Sequence, residues 1–265
     1  MKKTKLITMA VSFLLTVGMV GAGFASWLIT SEVQEEKTGT IKVESVIDSR
    51  LDLTVGDADG VHFGVPTAMN DDDPWLTASA DAASEDLSST VSLTVNNAST
   101  LYNSDNTSGY RYVVVTATLI ISKASLVNVY NPDPNAAINY IVLPGVDTQA
   151  DSNNYQIEQK IVIDLNAAEA GDVVFTFRWG SDFGNVNPYD FFNGKSSSAT
   201  CEYYEFNTQS KTTTTTAKVE KTYADFAYSA LSALADLNGS TGAGLGFTIK
   251  IVAKPSTTNP LAQNS

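Results

Sequence analysis

Residues 110–122 read YRYVVVTATLIIS, an apolar and β-branched run with no glycine, proline or charge after Arg111. Valine, isoleucine and threonine suit a pleated, half-buried surface, so this stretch is the strongest strand signal in the chain. The unbroken Val113-Val114-Val115 predicts burial on both faces, in the middle of a packed sheet.

Shorter segments on either side repeat the pattern at period 2. In TGTIKVESVID, Ile41, Val43 and Ser45 point one way while Lys42 and Glu44 point the other. SRLDLTVG alternates through Leu51, Leu53 and Val55, and STVSLTVNN through Val91, Leu93 and Val95. YQIEQKIVIDL and DVVFTFRWG predict a strand pair joined around NAAEAG, with Val173, Phe175 and Phe177 on one face. CEYYEFNTQSKTTTTTAKVEK predicts two strands turning near Gln209, and GLGFTIKIVAKP a closing strand through Phe247, Ile249 and Ile251. Residues 56–87, rich in Asp, Ala, Ser and Pro, predict a long loop with one short strand at VHFGV.

One segment has helical period. In TYADFAYSALSALADLNG, Phe226, Ala227, Ala230, Leu231, Leu234 and Leu237 share a face before an Asn238-Gly239 stop. About ten strands with one or two short helices predict an all-β fold, an antiparallel β-sandwich of jelly-roll or Ig-like type. Strands and helices do not alternate, which argues against a parallel α/β enzyme.

FRWGSDFGNVNPYDFFNG, residues 177–194, concentrates aromatic rings where turn residues interrupt the strand pattern. Asn187 is placed to cap a short helix with Pro188 at its first position, and Asn193-Gly194 ends it. The rings either plug the end of the core or offer Trp179, Phe183, Tyr189 and Phe191 to a sugar. Tyr189 and Phe192, at i and i+3, favour the plug.

The chain of 265 residues is 43% hydrophobic and 17% charged, with a formal net charge of −13 and three arginines. Nucleic-acid binding needs a basic footprint, so no nucleic-acid partner is expected. MKKTK followed by LITMAVSFLLTVGMVGAGFA and the small residues Gly23 and Ala25 has the form of a signal peptide, residues 1–25. Cleavage after Ala25 is the expectation. The apolar stretch also continues through Ile29 and is long enough to span a bilayer as a retained anchor, the one membrane contact expected. The mature chain is then a flexible segment, 26–37, and a single β-sandwich domain, 38–265, secreted or held at the cell surface. One cysteine, Cys201, excludes an internal disulfide and suits a bacterial surface protein.

Catalytic signatures are missing. The single histidine, His62, cannot build a zinc site, and it has no G-x-S-x-G nucleophile to serve. No enzyme activity and no resident cofactor are expected. Calcium is the one candidate ion: Asp57 and Asp59 in GDADG, with Asp71 and Asp73 in NDDDP, place carboxylates on turns. An EF-hand loop starting at Asp57 fails, because its twelfth position is Ala68.

Gly21, Ala22, Gly23, Ala25 and Trp27, then Thr38, Gly39, Ile41 and Val43, follow the order of a glycine-rich signal end, a small-aromatic step, a polar spacer and a T-G-x-[IL]-x-[VL] strand. This stretch resembles the start of the TasA/camelysin-like family of secreted bacterial proteins. The resemblance implies a dedicated signal peptidase, a jelly-roll-like β-sandwich and assembly into extracellular fibres of biofilm matrix. Camelysin's metalloprotease activity is not carried over, because the ligands for a zinc ion are lacking. Residues 26–46, with Trp27, Leu28, Ile29 and Val33, have the form of a donor strand for a neighbouring copy. The expected function is therefore a self-assembling surface or matrix structural protein. The alternative is an adhesin or carbohydrate-binding module that engages a cell-surface glycan through its loop aromatics.

Overall fold

A computed structural model describes residues 42–58, 61, 87–102, 109–131, 138–147, 151–210, 212–213, 217–237 and 245–262. The protein is mostly β, with several antiparallel sheets. The predicted strand at 110–122 is β4 (Tyr112–Ser122), the middle strand of a five-stranded sheet. The sheet's order is β1-β14-β4-β7-β6, with β1 at Lys42–Ile47, β6 at Val146–Asp147, β7 at Asn154–Asp164 and β14 at Thr248–Ser256.

β4 is central but buried on one face only. Val113, Val115, Ala117, Leu119 and Ile121 are wholly buried, whereas Val114, Thr116, Thr118 and Ile120 are half-covered on the outer face. The outer face explains why Val114 escapes full burial. Its neighbours there in register are Val162 of β7 and Lys254 of β14, with no second layer above them among the described residues. Across the same face Glu44, Lys250, Thr118 and Glu158 lie in one row of the ladder, with the opposite charges of Glu44 and Lys250 directly paired.

A three-stranded sheet, β2-β3-β8, comprises Leu53–Ala58, Ser88–Val95 and Ala170–Thr176. Its inward residues Val91, Leu93, Val95, Val173 and Phe175 join one hydrophobic cluster with the inward face of the five-stranded sheet. Here the structure departs from the expected hairpin. β7 pairs with β4 and β8 pairs with β3, so the NAAEAG turn carries the chain from one sheet to the other. Gly171 sits at this corner, where a Cβ would fall 3.1 Å from the Ile163 side chain. Both segments read as strands in sequence, but partner choice was settled by which face each had to bury.

The pairing is also not wholly antiparallel. β1 runs parallel to β14, from Lys42 opposite Thr248 to Ile47 opposite Ala253. Val43 and Ser45 face inward as expected, with Ser45 buried. β2 continues through Asp57 to Ala58 across an irregularity after Val55, so Asp57 lies on a strand and not on the predicted turn.

Four helices occur among the described residues, more than the one or two expected: α1 (Ala98–Leu101), α2 (Lys123–Leu126), α3 (Pro188–Phe192) and α4 (Tyr223–Leu237). α1 and α2 are single turns, too short to show a helical period in sequence. α4 is the predicted helix and buries Phe226, Ala227, Ala230, Leu231 and Leu234. Thr222 caps it: the Asp225 N–H donates to Thr222 Oγ1 at 3.1 Å, and the Thr222 N–H donates to the Asp225 carboxylate at 3.1 Å. This reciprocal pair is a capping box with Asp at its third position.

Candidate functional site

The segment 177–194 is pinned by a clasp at its start. Short strands β5 (Ile141–Val142) and β9 (Arg178–Trp179) pair, and the Gly180 N–H donates to the Tyr140 carbonyl at 2.9 Å. The backbones approach so closely that a Cβ on Gly180 would lie 1.9 Å from the Asn139 carbonyl oxygen. The clasp closes with the Asn139 N–H donating to Asp182 Oδ2 at 2.8 Å. A 3₁₀ turn follows at Ser181–Phe183, then α3, with its expected cap: Asn187 Oδ1 accepts from the Asp190 N–H at 2.8 Å. Gly194, at φ 80°, provides the left-handed residue that ends it.

The rings of this segment form a cluster with α4. Phe183 is fully buried and stacks on Tyr140 at 5.1 Å and on Phe226 at 6.2 Å. Edge-on contacts bring in Trp179, Phe191 and Phe192 at 6.0, 5.7 and 6.0 Å. Tyr203 stacks on the far side of the cluster, 4.9 Å from Phe226. Phe183 therefore has no face to offer a ligand, which corrects its place among the proposed stacking residues. Trp179 and Phe191 pack part-buried against the core, and Tyr189 is half-exposed. The residue that seals the cluster with Phe183 is Phe192, also fully buried.

Beside this cluster lies a cleft of about 210 Å³. Its floor is Tyr140, Tyr203 and Phe226; Phe191, Tyr204 and Tyr223 form its aromatic wall. Polar groups from three elements reach it: Ser181 and Asp182 from the 3₁₀ turn, Cys201 and Glu202 from β10 (Thr200–Tyr203), and Lys218 just before β13 (Val219–Thr222). β10 and β13 pair antiparallel. Between them β11 (Phe206–Asn207) and β12 (Thr212–Thr213) pair antiparallel, and the hairpin turns at Asn207, whose side chain accepts from the Gln209 and Ser210 N–H groups, as predicted near Gln209. Burial raises the Asp182 carboxyl above its usual range, against the Asn139 N–H and the Lys218 charge, which favour ionisation. Burial also raises the Cys201 thiol, with Lys195 opposing, so the sulfur stays protonated and is a poor nucleophile. The Tyr140 hydroxyl, pushed far up by burial, donates to the Tyr204 carbonyl at 3.3 Å.

The cleft's components are spread from residue 140 to residue 226, and sequence reading did not assemble them. The one available signal was CEYYEF, where Tyr203 and Phe206 turn inward and Tyr204 turns out.

The residues expected to serve assembly, Trp27, Leu28, Ile29 and Val33, lie outside the described residues, as do the expected signal segment and His62. What precedes Lys42 leads into β1, an edge strand. Residues 42–47 pair with β14 of their own chain, which removes them from the predicted donor strand and leaves the residues before them. Among the described residues β1 has no second ladder partner, and β6 covers only Gln156 and Ile157 on the outer edge of β7. Of the calcium candidates, Asp57 is exposed on β2, while Asp59, Asp71 and Asp73 lie outside the described residues. Among the described residues no three His, Cys, Asp or Glu side chains group closely enough to hold a metal. No helix among them is long and apolar enough to cross a membrane.

Comparisons of the chain with protein-family models, with curated proteins and with solved structures find no match.

Proposed function

We propose that this chain is an exported bacterial surface or matrix structural protein that assembles with copies of itself through its N-terminal segment. The observation that carries this reading is the position of β1. It enters at the edge of the five-stranded sheet, directly after the segment that export would release, and its outer ladder has no partner among the described residues. An edge strand presents a row of N–H and C=O groups that must be covered, blunted or used. β1 carries only light blunting, the Lys42–Glu44 pair at 3.0 Å, which is exposed and contributes little. A segment joined to one edge of a sheet and pairing with a sheet edge of the next copy makes a head-to-tail contact that does not close, and such contacts give filaments.

The same reading takes the five- and three-stranded sheets as two layers of one β-sandwich of jelly-roll type. Their shared hydrophobic cluster and the β7–β8 crossover support it. The resemblance of residues 18–53 to the TasA/camelysin-like family supports export and fibre formation in the same direction.

Negative-stain electron microscopy of the secreted protein and of a variant lacking residues 26–37 tests the proposal. Filaments are expected from the first and dispersed particles from the second. Filaments that persist unchanged in the deletion, or no filaments from the intact protein at any concentration, would overturn it.

A further inference from the structure

We infer that the cleft between the 181–192 segment, the β10–β13 pair and α4 is a binding site for one neutral sugar ring. At about 210 Å³ it is smaller than the roughly 300–1,000 Å³ sites that enclose drug-sized molecules, so it accommodates a single ring. Its chemistry is mixed in a particular way. Phe191, Tyr204 and Tyr223 supply half-exposed aromatic surface, Asp182 and Glu202 supply acceptors, and Lys218 and Ser181 supply donors. A pyranose has the complementary pattern: an apolar C–H face, and hydroxyls at its rim that each donate and accept.

Other ligand classes fit the same walls poorly. Aromatic walls with carboxylates attract cations, but a lysine ammonium already stands over one face of each wall ring here. The Lys195 ammonium lies 4.6 Å from the Phe191 ring centre and 5.2 Å from that of Tyr223, and Lys218 lies 5.4 Å from that of Tyr204. A cationic guest would meet like charge at Lys218, which lines the cleft. An anionic guest would meet Asp182 and Glu202 on a chain of net charge −13. A wholly apolar guest would desolvate Asp182 and Lys218 without replacing their hydrogen bonds to water. A neutral polyol hydrogen-bonds with both charges and packs its C–H groups on the ring surface that the lysines leave uncovered.

Asp182 is positioned for this role by the clasp. One of its oxygens, Oδ2, is held by the Asn139 N–H at 2.8 Å, and Oδ1 accepts no hydrogen bond among the described residues. The carboxylate is thus oriented by the backbone and not by a partner that a ligand must displace. This site is independent of the sheet edge, and its test does not depend on filaments.

Saturation-transfer NMR on the full chain with the methyl glycosides of glucose, galactose, mannose and N-acetylglucosamine reads binding directly. At least one is expected to bind, and Tyr204→Ala to weaken it about tenfold while Tyr204→Phe retains it. Glu202→Gln and Lys218→Ala, both at exposed positions, are each expected to weaken it several-fold with an unchanged circular dichroism spectrum. They keep the test valid if Tyr204→Ala does not fold. Absence of transfer to all four glycosides overturns the inference, as does affinity unchanged in the variants. Equal or better displacement by tetramethylammonium or inorganic phosphate would reassign the site to an ion and also overturn it.

Discussion

Replacing Phe183 by alanine tests whether residues 177–194 are a structural plug. Phe183 is wholly buried, with two stacked and three edge-on aromatic neighbours between 5.1 and 6.2 Å. Truncating a buried Phe to Ala costs about 3–5 kcal/mol, from lost transfer energy and the cavity left behind. Collapse into the cavity is restricted here, because Tyr140 is tied to the clasp and Phe226 to a capped helix. The upper half of that range, about 4–5 kcal/mol, is therefore expected. For a domain of this size each kcal/mol shifts Tm by roughly 2–4 °C, so a fall of about 10–15 °C follows. Tyr189→Ala, at a half-exposed position, should cost about 1 kcal/mol or less. Thermal unfolding followed by circular dichroism, with urea titration of tryptophan fluorescence as a second probe, measures both. A Phe183→Ala protein within about 1 kcal/mol of the parent, or a Tyr189→Ala protein more damaged than it, would refute the plug.

Two further perturbations bear on the same framework. Gly180→Ala forces a Cβ to 1.9 Å from the Asn139 carbonyl, so the β5–β9 clasp must open. A loss of several kcal/mol is expected, read as Tm and soluble yield, and a Tm unchanged within 2 °C would show that the backbones do not approach as described. The second is acid. Hydrogen bonds from the Arg50 guanidinium hold Asp48 at about 2, and the Arg111 guanidinium holds Asp164 below its usual range. A carboxyl depressed in the folded state stabilises above its unfolded value of about 4, and that contribution is lost as pH falls through the folded value. Asp182, raised by burial, acts in the opposite sense: its contribution is full below about 4 and is lost as pH rises through its folded value. Tm should therefore fall between about pH 4 and pH 2, and Arg50→Ala should flatten that fall. An Arg50→Ala profile parallel to the parent's would show that the Asp48 pair carries none of it.

Much of the strand content was legible because period 2 is a local signal. Val91, Leu93 and Val95, or Phe247, Ile249 and Ile251, declare their inward face without reference to any partner. α4 was legible for the same reason at period 3.6, and the cap of α3 because Asn187-Pro188 is a local motif. Partner choice was not local. Nothing in β7 or β8 says that they join different sheets, and nothing in β1 says that it runs parallel to β14. Those outcomes depend on which arrangement buries every inward face at once. The cleft is the extreme case, since Tyr140, Asp182, Tyr203, Lys218 and Phe226 are brought together only by the clasp, the hairpin and the docked helix.

By itself, then, the sequence determined an acidic, β-rich chain with an aromatic segment between strands, and it raised the expectation of export. Tertiary structure decided that Phe183 and Phe192 belong to the core, that residues 42–47 belong to their own sheet, and that a polar cleft opens beside the buried rings. The division follows from range: alternation and capping are set by neighbours in the chain, whereas burial and strand pairing are set by what the rest of the fold brings against them.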